Sequence, residues 1–275
     1  MTTKIHPAAA DTIVLVHGLW MTPLSWEHWI ERYENLGFKV IAPTWPGLEG
    51  GAEALRRDPG PLENLGIEEI VDHYETIIRA LDKPPIIIGH SFGGVFVQLL
   101  LDRGVGAAGV AIDSGPVKGV LRLPLTSLRA AFPVLGNPFN LKKAVPLTPK
   151  QFHYAFTNSL SEEESRKVYD RYHIPAAARV LFQGAFANLN PKAVTKVDLA
   201  KPDRAPLLMI AGTADHIVPP SMNKENVKRY RKSPSVTEYV EFPGRTHYIV
   251  GQDGWEEVAD KALAWAVDHT PVTTN

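Results

Sequence analysis

Apolar residues along this chain fall into two alternating patterns, short and nearly unbroken runs and stretches with a period near 3.6. The runs are Thr12–Val16, Phe38–Ala42, Ile86–Ile88, Ala107–Ile112 and Ala205–Gly212, and the more mixed Val236–Phe242 reads as the last strand. A run that is apolar on consecutive residues has no polar face to turn to water. Each such run therefore predicts a strand covered on both sides, as in parallel sheets packed between helices. Between them, Ser25–Leu36 carries Trp26, Trp29, Ile30 and Tyr33 at helical spacing and stops at Gly37. Ile67–Leu81 is apolar at 67, 70, 71, 74, 77, 78 and 81, with Glu68, Glu69, Asp72 and Glu75 opposite. Val95–Leu101, Asn223–Tyr230 and Asp253–Asp268 complete the helical set. Strand and helix alternate, so the expected fold is α/β with a mostly parallel central sheet and helices on both faces.

The alternation lapses twice. Gly51–Gly66, rich in Gly, Pro and charge, reads as a surface excursion with solvated arginines. From Val117 to about Asp203 there are Leu-Pro and Asn-Pro breaks, clustered aromatics and one clear helix start, Ser161 with Glu164 three residues on. The expected organisation is a core of residues 1–115 and 204–275 interrupted by a mainly helical insertion at 116–203.

Composition narrows the function classes. The 275 residues are 44% hydrophobic, enough for a large core. Lys plus Arg number 29 against 30 Asp plus Glu, a net charge of −1, which offers no overall field for nucleic acid or anionic membrane. A small apolar substrate suits the chain better. Cysteine is absent, which excludes disulfides, thiolate metal sites and a cysteine nucleophile. Met1–Asp11 has one lysine and no long apolar run, and 18 apolar residues never occur in a row. The expectation is a cytoplasmic protein with no secretory leader and no membrane span; its oligomeric state is not written in the sequence.

The chemistry gathers around Ile86–Gly94, Ile-Ile-Ile-Gly-His-Ser-Phe-Gly-Gly. A Gly-x-Ser-x-Gly between a buried strand and a helix is a nucleophile elbow, where a strained turn lifts the serine hydroxyl clear of the sheet. Gly89, Gly93 and Gly94 let neighbouring backbone pass close by. With His17-Gly18-Leu19-Trp20 after the first strand, Gly-Thr-Ala-Asp215-His-Ile-Val218-Pro after Ala205–Gly212, and His247 just after the last strand, the chain resembles the α/β-hydrolase family of serine hydrolases over nearly its whole length.

That resemblance implies an α/β-hydrolase fold. Only eleven residues precede the first strand, whereas many members open with an extra hairpin, so about six strands are expected. It implies a catalytic triad of Ser91, Asp215 and His247 in the chain order this fold requires, with Asp113, at the end of the strand 107–112, as the alternative acid. It assigns the oxyanion-stabilising backbone N–H groups to Leu19 and Phe92 and makes 116–203 a cap. Trp20, Trp45, Phe152, Phe156, Phe186 and Val218 are the expected substrate pocket, and the cap aromatics, Phe132 and Phe139 among them, suggest an apolar roof over the serine. The segment Pro43-Thr44-Trp45-Pro46-Gly47-Leu48-Glu49 departs from the usual Asp-x-Pro-Gly-x-Gly at Thr44 and Glu49, so pocket details do not carry over from any one subfamily. The implied activity is carboxylic ester hydrolysis through an acyl-enzyme. Lactonase, thioesterase and acyltransferase activities on the same triad, and a ligand-binding receptor with little turnover, are the alternatives. A serine at the elbow argues against the family's dehalogenases and epoxide hydrolases, which use aspartate there. His17 and His90 sit where family members use them to orient backbone, His153 and His173 fall in the cap, and no histidine has metal-ligand spacing, so neither a metal nor a cofactor is expected.

Overall fold

A computed structural model describes residues 10–270. Most of the first eleven residues, on which the expectation about a leader rests, lie outside this range. Thr12–Val16 (β1) is buried at every position, and Glu27–Asn35 (α1) follows a single 3-10 turn at Pro23–Trp26. Then come Lys39–Ile41 (β2), Gly51–Arg57 (α2), Ile67–Arg79 (α3), Ile86–His90 (β3), Phe92–Asp102 (α4) and Ala108–Ile112 (β4). The insertion holds Leu125–Leu135 (α5), Ala144–Val145 (β5), Pro149–Phe156 (α6), Glu162–Tyr172 (α7), Ala176–Ala177 (β6) and Ala178–Ala185 (α8). Leu207–Gly212 (β7), Pro220–Arg229 (α9), Thr237–Phe242 (β8) and Trp255–His269 (α10) complete the chain.

The main sheet has six strands in the order β2-β1-β3-β4-β7-β8, and every pairing in it is parallel. This is the expected six-stranded α/β-hydrolase arrangement. Alternate residues of its strands feed two cores. Ile13, Leu15, Ile86 and Ile88 pack with Trp29 and Tyr33 of α1 and with Val258 and Leu263 of α10. Val14, Val16 and Ile87 pack on the other face with Ile70 and Tyr74 of α3 and Phe96 of α4. Strand order reverses between β1 and β3, and ligands of open α/β sheets bind outside the carboxyl ends of the strands at such a reversal. The His17–Trp20 loop and Ser91 both stand there.

The excursion at 51–66 contains α2, anchored by buried Leu55. Arg56 is exposed, as expected, and also donates through Nε to the His173 carbonyl at 2.7 Å and through a terminal nitrogen to that of Arg171 at 2.9 Å. Those carbonyls end α7, where helical acceptors lack partners and a cation meets the negative end of the dipole. The insertion is tied to the core again by Arg179 with Glu69 at 2.7 Å and by the N–H of Ile67 donating to Gln183 Oε1 at 2.8 Å. Alpha7 opens on the expected capping box, Ser161 and Glu164 each accepting from the other's backbone. Alpha9 starts three residues earlier than its apolar pattern indicates, because Pro220 with its fixed φ suits a first helical position.

Candidate active site

The sheet's carboxyl end carries backbone strain. Trp20, Ser91 and Asp113, following β1, β3 and β4, all adopt positive φ, at 64°, 58° and 43°. Non-glycine residues keep such conformations only where the surroundings over-determine them, and they cluster at functional sites. Ser91 is fixed by its N–H donating to the Ile112 carbonyl at 2.9 Å and by its own carbonyl accepting from Gly94 at 3.0 Å and Gly115 at 3.2 Å. The turn needs bare glycine beside it, since a Cβ on Gly93 would lie 2.0 Å from the Val16 carbonyl oxygen. Gly18 presses on the serine from the β1 side: a Cβ there would stand 2.7 Å from Ser91 Cβ and 3.2 Å from its Oγ. The serine is 4% exposed, so the site is enclosed.

A turn at Pro243–Thr246 carries His247 from β8 into full burial. Its Nδ1 is 2.6 Å from Asp215 Oδ2, and Asp215 Oδ1 accepts from the N–H groups of Ile217 at 2.6 Å and Val218 at 2.9 Å. The carboxylate is thus pinned by backbone on one oxygen and holds the imidazole with the other. His247 Nε2, at the far side of the ring, is buried with no hydrogen-bond partner among the described residues. No hydrogen bond joins it to Ser91 in this arrangement; such contacts are commonly long before substrate arrives.

His90, the neighbour of the serine, places Nε2 2.8 Å from the His247 carbonyl oxygen. Burial, followed by the nearby His247, pushes the pKa of His90 well below the ordinary histidine range, so it is neutral and its N–H donates to that carbonyl. Burial likewise lowers His17 to about 4; its ring stacks on Trp45 with centroids 4.7 Å apart.

Asp113 is fully buried, accepts from the Gly212 N–H at 2.7 Å through Oδ1, and has no partner for Oδ2 inside hydrogen-bonding limits. Burial first, then the facing Asp215 carboxylate, holds its pKa well above the usual carboxylate range. The Asp113 carboxyl beside the Asp215–His247 pair is thus biased toward its protonated form. One ligand-type atom from each of His90, Asp113 and His247 falls within 4.8 Å of the others. With His247 Nδ1 held by Asp215 and Asp113 Oδ1 by Gly212, this trio is a hydrogen-bonded polar layer under the elbow. The histidine thus meets Asp215 and not Asp113.

The N–H groups of Leu19 and Phe92 have no acceptor among the described residues. Phe156 sets its ring edge-on to His247 at 5.0 Å, Trp20 stands edge-on to Phe156 at 6.0 Å, and Phe152 stacks behind Phe156 at 4.7 Å. Trp45 packs on His17 and Phe96, away from the imidazole. Val218 is buried and supplies one of the N–H groups on Asp215. Phe186 is half exposed and stacks on Phe182. Phe132 and Phe139, expected in the roof, are 70% and 81% exposed; Phe132 faces outward because α5 turns its small residues to the interior, and Phe139 stands in the separate turn Pro138–Asn140. Alpha8 instead meets the residue after the serine, its Gly184 lying so close to Phe92 that a Cβ would be 2.8 Å from the ring.

Sequence reasoning passed over a second support. Gln98 donates to Ser114 Oγ at 2.9 Å and accepts from the Tyr230 hydroxyl at 3.0 Å, tying α4 to the end of β4 and to the end of α9. The signal was present as a lone glutamine in an otherwise apolar helix.

Comparison with known proteins follows the same lines. The profile described as alpha/beta hydrolase family matches residues 13–261. A monoacylglycerol lipase of Mycolicibacterium smegmatis is 26% identical over 269 residues, covering 94% of this chain and 88% of that protein. Among solved structures, the monoacylglycerol lipase of Paleococcus ferrophilus superposes with a TM-score of 0.64 at 22% identity, covering 95% of this chain and 96% of the other. A pyrethroid hydrolase from Sphingobium faniae JZ-2 gives 0.65 at 16% identity over 94% and 98%.

Proposed function

The chain belongs to the alpha/beta hydrolase family, and from that premise we propose that it is a serine hydrolase that cleaves carboxylic esters through an acyl-enzyme on Ser91. The observation that carries this reading is His247, fully buried, bonded through Nδ1 to Asp215 at 2.6 Å and keeping Nε2 free on the opposite edge of the ring.

A serine hydroxyl is a weak nucleophile at neutral pH, so it needs a base at the moment of attack. In the proposed cycle Ser91 Oγ adds to the ester carbonyl while His247 Nε2 takes its proton. Asp215 holds the ring in the Nδ1–H tautomer and stabilises the imidazolium. Negative charge developing on the carbonyl oxygen is met by the free N–H groups of Leu19 and Phe92, already oriented by the strained turns. Collapse expels the alcohol, which receives the proton from His247. Water, activated by the same imidazole, then attacks the acyl-serine and releases the acid.

The enclosing rings of Trp20 and Phe156 favour an apolar acyl group. That the curated relative is a lipase of monoacylglycerols, themselves carboxylic esters, supports the bond type. The test is hydrolysis of p-nitrophenyl esters of graded chain length by the purified chain and by Ser91→Ala. Turnover that vanishes in the variant supports the reading; a wild-type protein that binds such esters without cleaving them favours a receptor on the same fold.

A further inference from the structure

Helix α5 has its polarity reversed. Its inward face is made of small residues, Ser127, Ala130 and Val134, while Leu125, Leu128 and Phe132 at the complementary spacing are 83%, 43% and 70% exposed. Leu121 and Leu123, just before it, are 68% and 63% exposed. Isolated exposed leucines are ordinary, but five large apolar side chains on one helix face and its lead-in form a patch that marks an interaction surface.

The charges around the patch share one sign. From Ser114 to Ser161 there is no Asp or Glu, against Lys118, Arg122, Arg129, Lys142, Lys143 and Lys150. The overall charge of −1 conceals this local concentration. Arg122 also lines a groove of about 750 Å³ with Lys228, Arg231 and Lys232 of α9 and the turn after it, and none of these four forms an ion pair among the described residues. The groove adjoins α5, since Ser127 Oγ lies 3.5 Å from Met222 Sδ on α9. Glu225 in the groove is already occupied by Arg229 and by the N–H groups of Leu121 and Arg122. Glu162 lies beyond Lys150 in a neighbouring groove.

We propose that this face of the cap, built on Leu121, Leu123, Leu125, Leu128 and Phe132 and rimmed by unpaired cations, docks on an anionic phospholipid surface. Apolar side chains enter the boundary between headgroups and acyl chains while arginines and lysines meet the phosphates, the pairing that holds interfacial helices on membranes. A second copy of the chain fits poorly, because a two-fold contact sets the same cations against themselves. No helix among the described residues is long and apolar enough to cross a bilayer, so the contact is peripheral. The inference does not depend on the esterase reading, and its test reads binding alone.

The experiment is co-sedimentation of the full chain with vesicles of phosphatidylcholine, and with vesicles in which about a third of the lipid is phosphatidylglycerol. Expected is binding to the anionic vesicles at least about tenfold tighter than to the neutral ones, weakened at about 0.5 M salt. Leu125→Glu with Phe132→Glu, and separately Arg122→Glu with Arg231→Glu, should each reduce binding about tenfold or more. Both sites are exposed, and an unchanged melting temperature in each variant excludes misfolding. Absence of binding to anionic vesicles, equal binding by the variants, or a dimer in solution that Leu125→Glu dissolves would overturn the proposal. So would protection of the groove by inorganic phosphate alone with no vesicle association.

Discussion

His90 Nε2 lies 2.8 Å from the carbonyl oxygen of His247, so the residue preceding the serine also holds the loop that carries the imidazole. The bond joins β3 to the turn after β8 and fixes the two ends of the proposed proton path to one another. Replacing His90 by Phe keeps a ring of similar breadth and removes the donor. The expected result is a kcat lowered about ten- to a hundredfold with KM nearly unchanged, since the loss falls on transition-state alignment. Equal loss in kcat and rise in KM would indicate general distortion.

Asp113 and Asp215 face one another, and only one is in contact with the histidine. Asp113→Asn reproduces a neutral acid in shape, accepting from Gly212 and donating toward Asp215, so activity should stay within about threefold of wild type. Asp215→Asn presents a donor to the wrong side of the imidazole and should cost on the order of 10³ or more in kcat. Because the folded-state pKa of Asp113 is raised, the folded chain retains a proton that the unfolded chain has released. That contribution is lost progressively as pH rises above the unfolded-state value near 4, so Asp113→Asn should flatten the fall in melting temperature on raising the pH from about 4. Steady-state kinetics and melting from about pH 4 to 8 check both statements.

His17 and His173 are each lowered to about 4 by burial. His173 Nε2 accepts the N–H of Leu147 at 3.0 Å, which requires the neutral ring. The unfolded chain takes up protons at these sites near pH 6.5 and the folded chain only near 4, so stability falls as pH drops across that window. The expected loss is on the order of 2 kcal/mol per histidine by pH 4.5. His173→Gln keeps an acceptor for Leu147 and should flatten the acid limb; an unaltered slope in a pH series of denaturant titrations would contradict the assignment.

Gly18→Ala introduces a Cβ 2.7 Å from Ser91 Cβ and 2.8 Å from the His90 carbonyl oxygen. Backbone cannot yield there without moving the elbow. Activity should drop at least about tenfold, and stability by roughly 2 kcal/mol, seen as a melting temperature lower by several degrees.

Much of this was legible in the sequence because burial on both faces leaves a mark. Ile86–Ile88 and Ala108–Ile112 are apolar at consecutive positions, and their parallel pairing follows from the helices between them. Ser91, Asp215 and His247 each follow a strand within a few residues, so local patterns sufficed to mark them as candidates. The two-residue pair Ala144–Val145 with Ala176–Ala177 was not legible, being too short to have a period. Arg56 reads as a solvated charge and stays exposed, but its bonds to the carbonyls at the end of α7 could not be read from the sequence. Most misleading was α5: Leu125, Leu128 and Phe132 have the spacing of a buried stripe, and only the packing of Ser127, Ala130 and Val134 reveals that the stripe faces outward. Periodicity identifies a face, while what covers it is decided by the rest of the fold.

The central claim is that Ser91 becomes acylated. Rapid mixing with a p-nitrophenyl ester, acid quench and peptide mass spectrometry measure it directly. The expected result is a burst of p-nitrophenol approaching one equivalent per chain, with the acyl mass on the peptide containing Ser91 and neither burst nor adduct in Ser91→Ala. An adduct on another residue, or undiminished turnover by Ser91→Ala, would contradict it.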